Sequence, residues 1–144
     1  MRHEFDVDTV PGWTVDFWLD PACPLTRHTA RWVVRIAEEV PLQVRWRVMS
    51  LSVLNEHRDD DPEDDPHGYL WIPARVAAAV QTEDGHTALG RFYDALWTEP
   101  DGTEREWIGD IDAALQVPDA QDPLQLWHAL TGLMSVPAFH EIKA

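Results

Sequence analysis

Residues 13–26 read WTVDFWLDPACPLT, and this stretch contains the signals that decide the fold. Polar and apolar residues alternate over positions 13–19 with many β-branched or aromatic side chains, which predicts a buried strand. Asp20-Pro21 ends that strand. Pro24 then stands where the first residue of a helix belongs, because its missing N–H would be unpaired there in any case. The stretch therefore predicts a strand, a tight turn and a helix that begins directly after Cys23.

The residues that follow extend this pattern to a second strand. Pro41 stops a run of apolar residues at helical spacing, which comprises Trp32, Val33, Ile36, Ala37 and Val40. Residues 42–51 (LQVRWRVMSL) then place apolar side chains on one face at period two, which predicts a strand. Strand, helix and strand form a βαβ unit, so we expect parallel strands and a right-handed crossover.

The remainder of the chain predicts helices and no further strand. Pro73 opens one helix that runs to about Gln81. Residues 88–97 carry a wide apolar stripe, which predicts another. Thr103 and Glu106 have the spacing of a capping box ahead of a third helix.

A last helix, opened by Asp122-Pro123, carries Trp127 on its apolar face. Core packing is the default for the tryptophans: we expect Trp18, Trp32 and Trp46 around the βαβ unit, and Trp97 and Trp107 on helical apolar faces.

Composition excludes several classes of function. The chain has 144 residues, of which 26 are acidic and 11 basic, and its net charge is −15. This length suits one domain. Duplex nucleic acid and anionic membranes are poor partners for so acidic a chain. The longest apolar run, residues 76–80, is too short to span a bilayer, and no secretory segment is visible, so we expect a cytoplasmic protein.

The acidic residues also do not form a recognisable metal site. Residues 59–65 (DDDPEDD) hold six carboxylates and predict a solvated loop, because like charges repel. His57, His67 and His86 are near this loop in sequence but lack the spacing of metal ligands. We expect no metal.

Cys23 is the only cysteine, so no intramolecular disulfide and no multi-cysteine metal site can form. A lone cysteine is more often a buried, inert residue. Cys23, however, precedes Pro24 at a strand-to-helix junction, where unpaired N–H groups and the helix dipole favour a thiolate. Its position therefore predicts a reactive nucleophile.

With later residues, this turn resembles the DsbA-like thioredoxin-fold proteins of actinobacteria, in particular the mycothiol-dependent nitroreductase family. The resemblance runs to Leu115 and resumes over the C-terminal tail. Its matching pieces are Asp16-Phe17-Trp18, Asp20-Pro21, Cys23-Pro24, Thr29, Arg31-Trp32, Val48-Met49-Ser50-Leu51, Leu54-Asn55-Glu56, Arg58-Asp59, Pro62-Glu63, Trp71, Pro73, Arg75-Val76 and finally Pro137, Phe139, Glu141 and Lys143.

The resemblance implies an α/β fold, with a thioredoxin-like βαβ unit and a helical insertion in a single domain. The βαβ unit would span residues 13–51, the insertion 69–116, and a C-terminal helix and tail 122–144. It also implies no bound cofactor, the low-molecular-weight thiol mycothiol as co-substrate, and a small aromatic or disulfide substrate. Cys23 would form a mixed disulfide with the thiol.

The family pattern also implies a monothiol mechanism. Thr26 occupies the position of the second, resolving cysteine of dithiol members, so Cys23-Pro24-Leu25-Thr26 cannot close a disulfide and a small thiol must resolve the intermediate. Thr26 either donates a hydrogen bond to the thiolate or is a plain helix residue. Cys23, Pro24 and Thr26 are the candidate catalytic residues.

Three further residues are candidates for substrate binding. Asp20 belongs to the matched turn. Arg31 could offer a cation to an anionic or thiol substrate, although a surface ion pair with Glu38 or Glu39 is the simpler interpretation. Trp71 could wall an aromatic pocket over Cys23, although core packing is the default for tryptophan.

One block of the thioredoxin pattern is missing. In such folds a cis-proline that faces the cysteine precedes a later strand, but only six residues separate Leu115 from Asp122. We therefore expect a shortened chain with an incomplete sheet, whose open edge is covered by helices or by a second copy in a homodimer. Pro118 and Pro137 are candidates for the cis-proline by residue type alone.

Three functions stay open from the sequence. The first is a cytoplasmic monothiol DsbA-like oxidoreductase. The second is a catalytically inactive, shortened relative that serves as a binding or dimerisation module. The third is the isomerase branch of the same superfamily, in which a helix-terminal residue activates glutathione.

Overall fold

The computed structural model describes residues 12–116 of the chain. Two strands and four helices follow one another in this part: β1 (Trp13–Leu19), α1 (Pro24–Glu39), β2 (Leu42–Val48), α2 (Leu51–Leu54), α3 (Trp71–Trp97) and α4 (Ile111–Leu115). The predicted C-terminal helix from Asp122 and the candidate cis-prolines Pro118 and Pro137 lie outside the described residues.

The strands form the predicted βαβ unit. β1 and β2 are parallel and pair in one continuous register from Trp13 opposite Leu42 to Leu19 opposite Val48, with α1 as the crossover. Between residues 12 and 116 the sheet has these two strands and is not closed. The fold is therefore mixed α/β, a thioredoxin-like βαβ unit with a helical insertion, as predicted, and over the described residues the sheet is open.

α1 begins and ends at the positions that Pro24 and Pro41 predict. Pro24 occupies its first turn, and Cys23 is the N-cap residue with an extended backbone. At the other end the N–H of Val40 donates to the carbonyl of Ile36, and Pro41 follows. The local signals are sufficient here, because a proline is favourable at the start of a helix and cannot continue one.

The second strand is shorter than predicted. β2 ends at Val48, and residues 51–54 form the short helix α2. The Ser50 hydroxyl caps α2 by accepting a hydrogen bond from the Val53 N–H at 3.3 Å. A serine cap outweighs the period-two pattern at its end, because a helix start leaves N–H groups that need acceptors.

The two predicted helices of the insertion are one element with a kink. α3 begins two residues before Pro73, and its backbone departs from helical geometry at Gly85, with φ 88° and ψ −178°. Only glycine adopts this conformation without strain. The break that the sequence places between Gln81 and Ala88 is therefore confined to a single residue.

The predicted capping box is wrong. Thr103 lies in a turn, where its N–H donates to the Asp101 carboxylate at 2.9 Å, and Glu104 forms an isolated antiparallel bridge with Thr98. The helix begins later, at Ile111, because Asp110 accepts the Ala113 N–H at 2.8 Å and is the N-cap. A nearer acceptor for the Thr103 backbone outweighs the capping spacing.

The core lies between the sheet and α3. Its largest fully buried side chains are those of Trp97, Tyr93, Leu19, Leu89, Leu96 and Val53. Phe17 and Trp46 pack against it, edge to face, with ring centres 5.5 Å apart. Trp18 in β1 and Trp32 in α1 were expected to pack around the βαβ unit but are 52% and 56% exposed, so this unit keeps a partly apolar outer surface. Trp107, expected on the apolar face of a helix, lies outside the helices and is 49% exposed.

Within residues 12–116, no helix has the length and apolarity that a membrane span requires. All peptide bonds in this part are trans.

Candidate active site

The turn before α1 is held by one carboxylate. Asp20 is buried, and its two oxygens accept the N–H groups of Ala22 at 3.1 Å and Leu51 at 2.8 Å. Burial raises the pKa of Asp20, and these two backbone hydrogen bonds partly oppose the rise. Both oxygens face the protein's own backbone, so this candidate substrate-binding residue shapes the turn and ties it to the start of α2.

Cys23 lies at the exposed end of this turn. Its thiol is free and half-buried, and no side-chain hydrogen bond caps α1 in its place. The first turn of α1 carries no acidic residue that would neutralise the positive end of the helix dipole. The structure records no hydrogen bond between Thr26 and Cys23, both of which lie in its described part. Pro24 starts the helix, as predicted.

A residue of α3 holds the turn before α1 by a hydrogen bond. The indole N–H of Trp97 donates to the carbonyl oxygen of Pro21 at 2.9 Å, and Trp97 is 2% exposed. The carbonyl of the turn thus has a buried partner from a residue 76 positions away. The apolar spacing of α3 predicts core packing for Trp97, and nothing in the sequence indicates this supporting role.

Arg27, one turn beyond Cys23, is buried on the inner face of α1. It forms ion pairs with Glu104 at 2.6 Å and Asp94 at 3.0 Å, and its guanidinium lies 5.3 Å from the centre of the Tyr93 ring. Burial would lower the pKa of Arg27, but the hydrogen bonds to Glu104 and Asp94 outweigh burial and raise it. Arg27 was not among the residues predicted for the site. The available signal was a basic residue at a position that the helical spacing places on the buried face of α1.

The Tyr93 hydroxyl is buried beside these groups without a hydrogen-bond partner. Burial raises the pKa of Tyr93. The charge of Arg27 opposes the rise, while those of Cys23 and Asp20 add to it. The hydroxyl therefore stays protonated, as a donor within electrostatic reach of the cysteine. Nothing in the sequence pattern separated Tyr93 from the other apolar residues of its helix.

Arg31 lies farther along the same helix. Its guanidinium is 3.8 Å from Glu104, so the expected surface pair with Glu38 or Glu39 is wrong; the partner comes from the loop after α3. Arg31 also lines a cleft of about 480 Å³ between α1 and α3, together with Arg27, Val34, Arg35, Trp46 and Tyr93.

Trp71 lies at a different place. It lines a cleft of about 540 Å³ with residues of α2 and the acidic loop, such as Ser52, Asp61 and Glu63, and Cys23 is not among the lining residues. The Arg75 guanidinium lies 5.5 Å from the centre of its ring. Among residues 12–116, no three potential metal ligands converge on one point.

Comparison with known proteins identifies the family of this chain. A family model described as mycothiol-dependent nitroreductase Rv2466c matches residues 22–116, about two thirds of the chain. The uncharacterized protein Rv2286c of Mycobacterium tuberculosis is 26% identical over 132 residues, which cover 80% of this chain and 57% of the relative. The chain thus spans little more than half the length of that relative. Because the family match covers more than half of the chain and includes Cys23, the chain belongs to the Rv2466c-like family of mycothiol-dependent nitroreductases, which have a thioredoxin-like fold.

Proposed function

We propose that this protein is a mycothiol-dependent thiol oxidoreductase that acts through Cys23 by a monothiol mechanism. The observation that carries the proposal is the position of the thiol. Cys23 is the N-cap of α1, is partly exposed and has no acidic neighbour in the first helical turn. Free N–H groups and the helix dipole at that position stabilise a thiolate, which is the nucleophilic form.

The chemistry is an exchange of one thiol for another. The Cys23 thiolate attacks the mycothiol sulfur of a small disulfide, a bond forms between the two sulfurs, and the other half of the disulfide leaves as a thiolate. A second mycothiol thiolate then attacks the mycothiol sulfur of this mixed disulfide, and Cys23 leaves as a thiolate. The proton of mycothiol passes to the first leaving group, so the exchange needs no external electron carrier.

The lack of a second cysteine makes the small thiol the resolving group. Thr26 stands one turn after Cys23 and cannot form a disulfide, and the chain has no other thiol. We further propose a small aromatic or disulfide substrate and a cytoplasmic location, which suit the family's low-molecular-weight thiol.

Two measurements on the full chain test the nucleophile. The rate of iodoacetamide alkylation as a function of pH reports the thiolate fraction, and mass spectrometry after incubation with mycothiol disulfide reports the adduct. We expect rapid alkylation near neutral pH and a single adduct on Cys23. The matched control is C23S/T29C, which moves the thiol to an exposed position within the same helix. We expect it to react more slowly at neutral pH, because position 29 lies away from the helix N-terminus.

Equal rates for the wild type and C23S/T29C, together with no adduct on Cys23, would contradict the proposal. That result would favour the inactive binding or dimerisation module. One observation supports this second function: Trp13, Trp18 and Trp32 are each more than half exposed on the βαβ unit, where a second chain could cover them. Size-exclusion chromatography with light scattering distinguishes a dimer from a monomer.

A further inference from the structure

One side of α1 continues from Cys23 into the cleft between α1 and α3. Arg27, Arg31 and Val34 follow Cys23 at helical spacing, and all three line the cleft. Arg31 is eight residues after the cysteine, which places it about 12 Å along the helix axis. The volume of about 480 Å³ is within the range of small-molecule sites.

Three arginines and two carboxylates line this cleft, so its lining has a net charge of +1. Glu104 and Asp94 contact Arg27 at 2.6 and 3.0 Å, whereas Arg31 is 49% exposed and 3.8 Å from Glu104. Arg35, which also lines the cleft, has no recorded ion pair within residues 12–116. Like charges one turn apart on a helix repel each other, so an anion between Arg31 and Arg35 would relieve that repulsion. This local excess is contrary to the net charge of −15.

The remaining wall is aromatic. The Trp46 indole lines the cleft, and it approaches α3 so closely that a Cβ at Gly90 would collide with its ring. Glycine at that position makes room for the indole. A flat apolar body could therefore lie against Trp46 while its charged end faces the arginines.

We propose that the cleft between α1 and α3 is a binding site for a small aromatic carboxylate. Its carboxylate lies between Arg31 and Arg35, and its ring packs against Trp46. The planar guanidinium of arginine can donate two parallel hydrogen bonds to one carboxylate. The ammonium group of lysine acts as a point charge and does not offer this geometry. The site is separate from the thiol chemistry and does not depend on it.

Isothermal titration calorimetry of the full chain with benzoate tests the proposal. We expect saturable binding to the wild type that weakens as salt is raised, because the contact is an ion pair near the surface. In R31Q/R35Q the affinity should fall at least about tenfold, which corresponds to about 1.4 kcal/mol. R31K/R35K keeps the charge but not the fork, so it should bind more weakly than the wild type and more tightly than R31Q/R35Q.

R58Q is the matched control, because Arg58 is exposed, pairs with Asp60 and lines the other cleft. Its affinity for benzoate should equal that of the wild type. Three results would overturn the proposal: no saturable binding of benzoate, an equal loss of affinity in R58Q, or equal affinity for the neutral analogue benzamide. Tighter binding of inorganic phosphate than of benzoate would overturn the assignment of an aromatic carboxylate.

Discussion

At the scale of single residues, Asp20 determines the shape of the candidate active site. Its carboxylate bridges the N–H group of Ala22, between β1 and α1, and that of Leu51, which follows β2. A carboxylate is suited to this bridge because both of its oxygens accept hydrogen bonds. The turn that presents Cys23 therefore depends on a side chain that does not itself point toward a substrate.

We expect D20N to lower the free energy of unfolding by about 1–3 kcal/mol, because an amide has one acceptor oxygen and one backbone N–H would be left unpaired. Urea denaturation measures the change. D16N is the control: Asp16 is an exposed partner of Arg45 and Arg47, and the loss of a surface pair costs at most about 1 kcal/mol. Equal effects of the two substitutions would contradict the bridging role.

A substitution at Tyr93 should not lower the free energy of unfolding, in contrast to D20N. Its hydroxyl is buried and unpaired, so Y93F removes an uncompensated polar group and leaves the ring in place. We expect the free energy of unfolding to stay the same or to rise by about 1 kcal/mol. Y69F, at a 67% exposed position, should change nothing. A clear loss of stability in Y93F would show that the hydroxyl has a partner in solution.

At the scale of elements, α3 depends on two glycines for different reasons. Gly85 kinks the helix with a backbone conformation that other residues avoid, and nothing lies within 4 Å of an added Cβ. Gly90 is in ordinary helix, but a side chain there would collide with the Trp46 indole. One glycine is required by the backbone and the other by packing.

We expect both G85A and G90A to lower the free energy of unfolding, by about 1–3 kcal/mol each. A smaller residue at position 46 tells the two causes apart. In a W46L background the loss of unfolding free energy caused by G90A should be smaller, because that loss depends on the indole. The loss caused by G85A should not change. T87A, an exposed control on the same helix, should have little effect. Equal coupling of both glycines to Trp46 would contradict this distinction.

At the scale of the whole molecule, the shortest ion pair between α1 and the segment after α3 is that of Arg27 with Glu104. Arg27 and Glu104 are 77 residues apart in sequence and form two hydrogen bonds, at 2.6 and 3.1 Å. The hydrogen bond to Arg27, with its charge, lowers the pKa of Glu104 below its usual 4.5, although partial burial opposes this. The pair connects the βαβ unit to the helical insertion.

This pair predicts a pH dependence of stability. Because the pKa of Glu104 is lower in the folded chain than in the unfolded one, its contribution is complete above the usual 4.5 and is lost as pH falls through the folded value. Asp20 acts in the opposite sense, since its raised pKa favours folding at low pH.

We expect the wild type to be more stable than E104Q near pH 7, with the difference disappearing at acid pH. Thermal unfolding of both proteins from pH 7 to pH 3 measures it, and E99Q is the control, because Glu99 pairs instead with Arg105. A wild-type advantage over E104Q that does not change with pH would contradict the assignment.

Much of the fold could be predicted because its signals are local. The alternation over β1, the proline at the start of α1 and the proline after it each act within a few residues. The same holds for the site's first residue, since Cys23 and Pro24 are adjacent to a strand end. The failures are also local, at the end of β2 and at the Thr103 turn, where a hydrogen-bond acceptor competes with a periodic pattern.

The amino-acid sequence by itself determined the βαβ unit, the N-terminal position of the thiol on its helix, and the absence of a second thiol. Only the tertiary structure decided what surrounds them. Arg27 became a buried anchor, Tyr93 a donor without an acceptor, and Trp97 a support for the turn through contacts between residues 66 to 77 positions apart. Periodicity reports which face of an element is buried, whereas such contacts depend on which elements pack together and at what register.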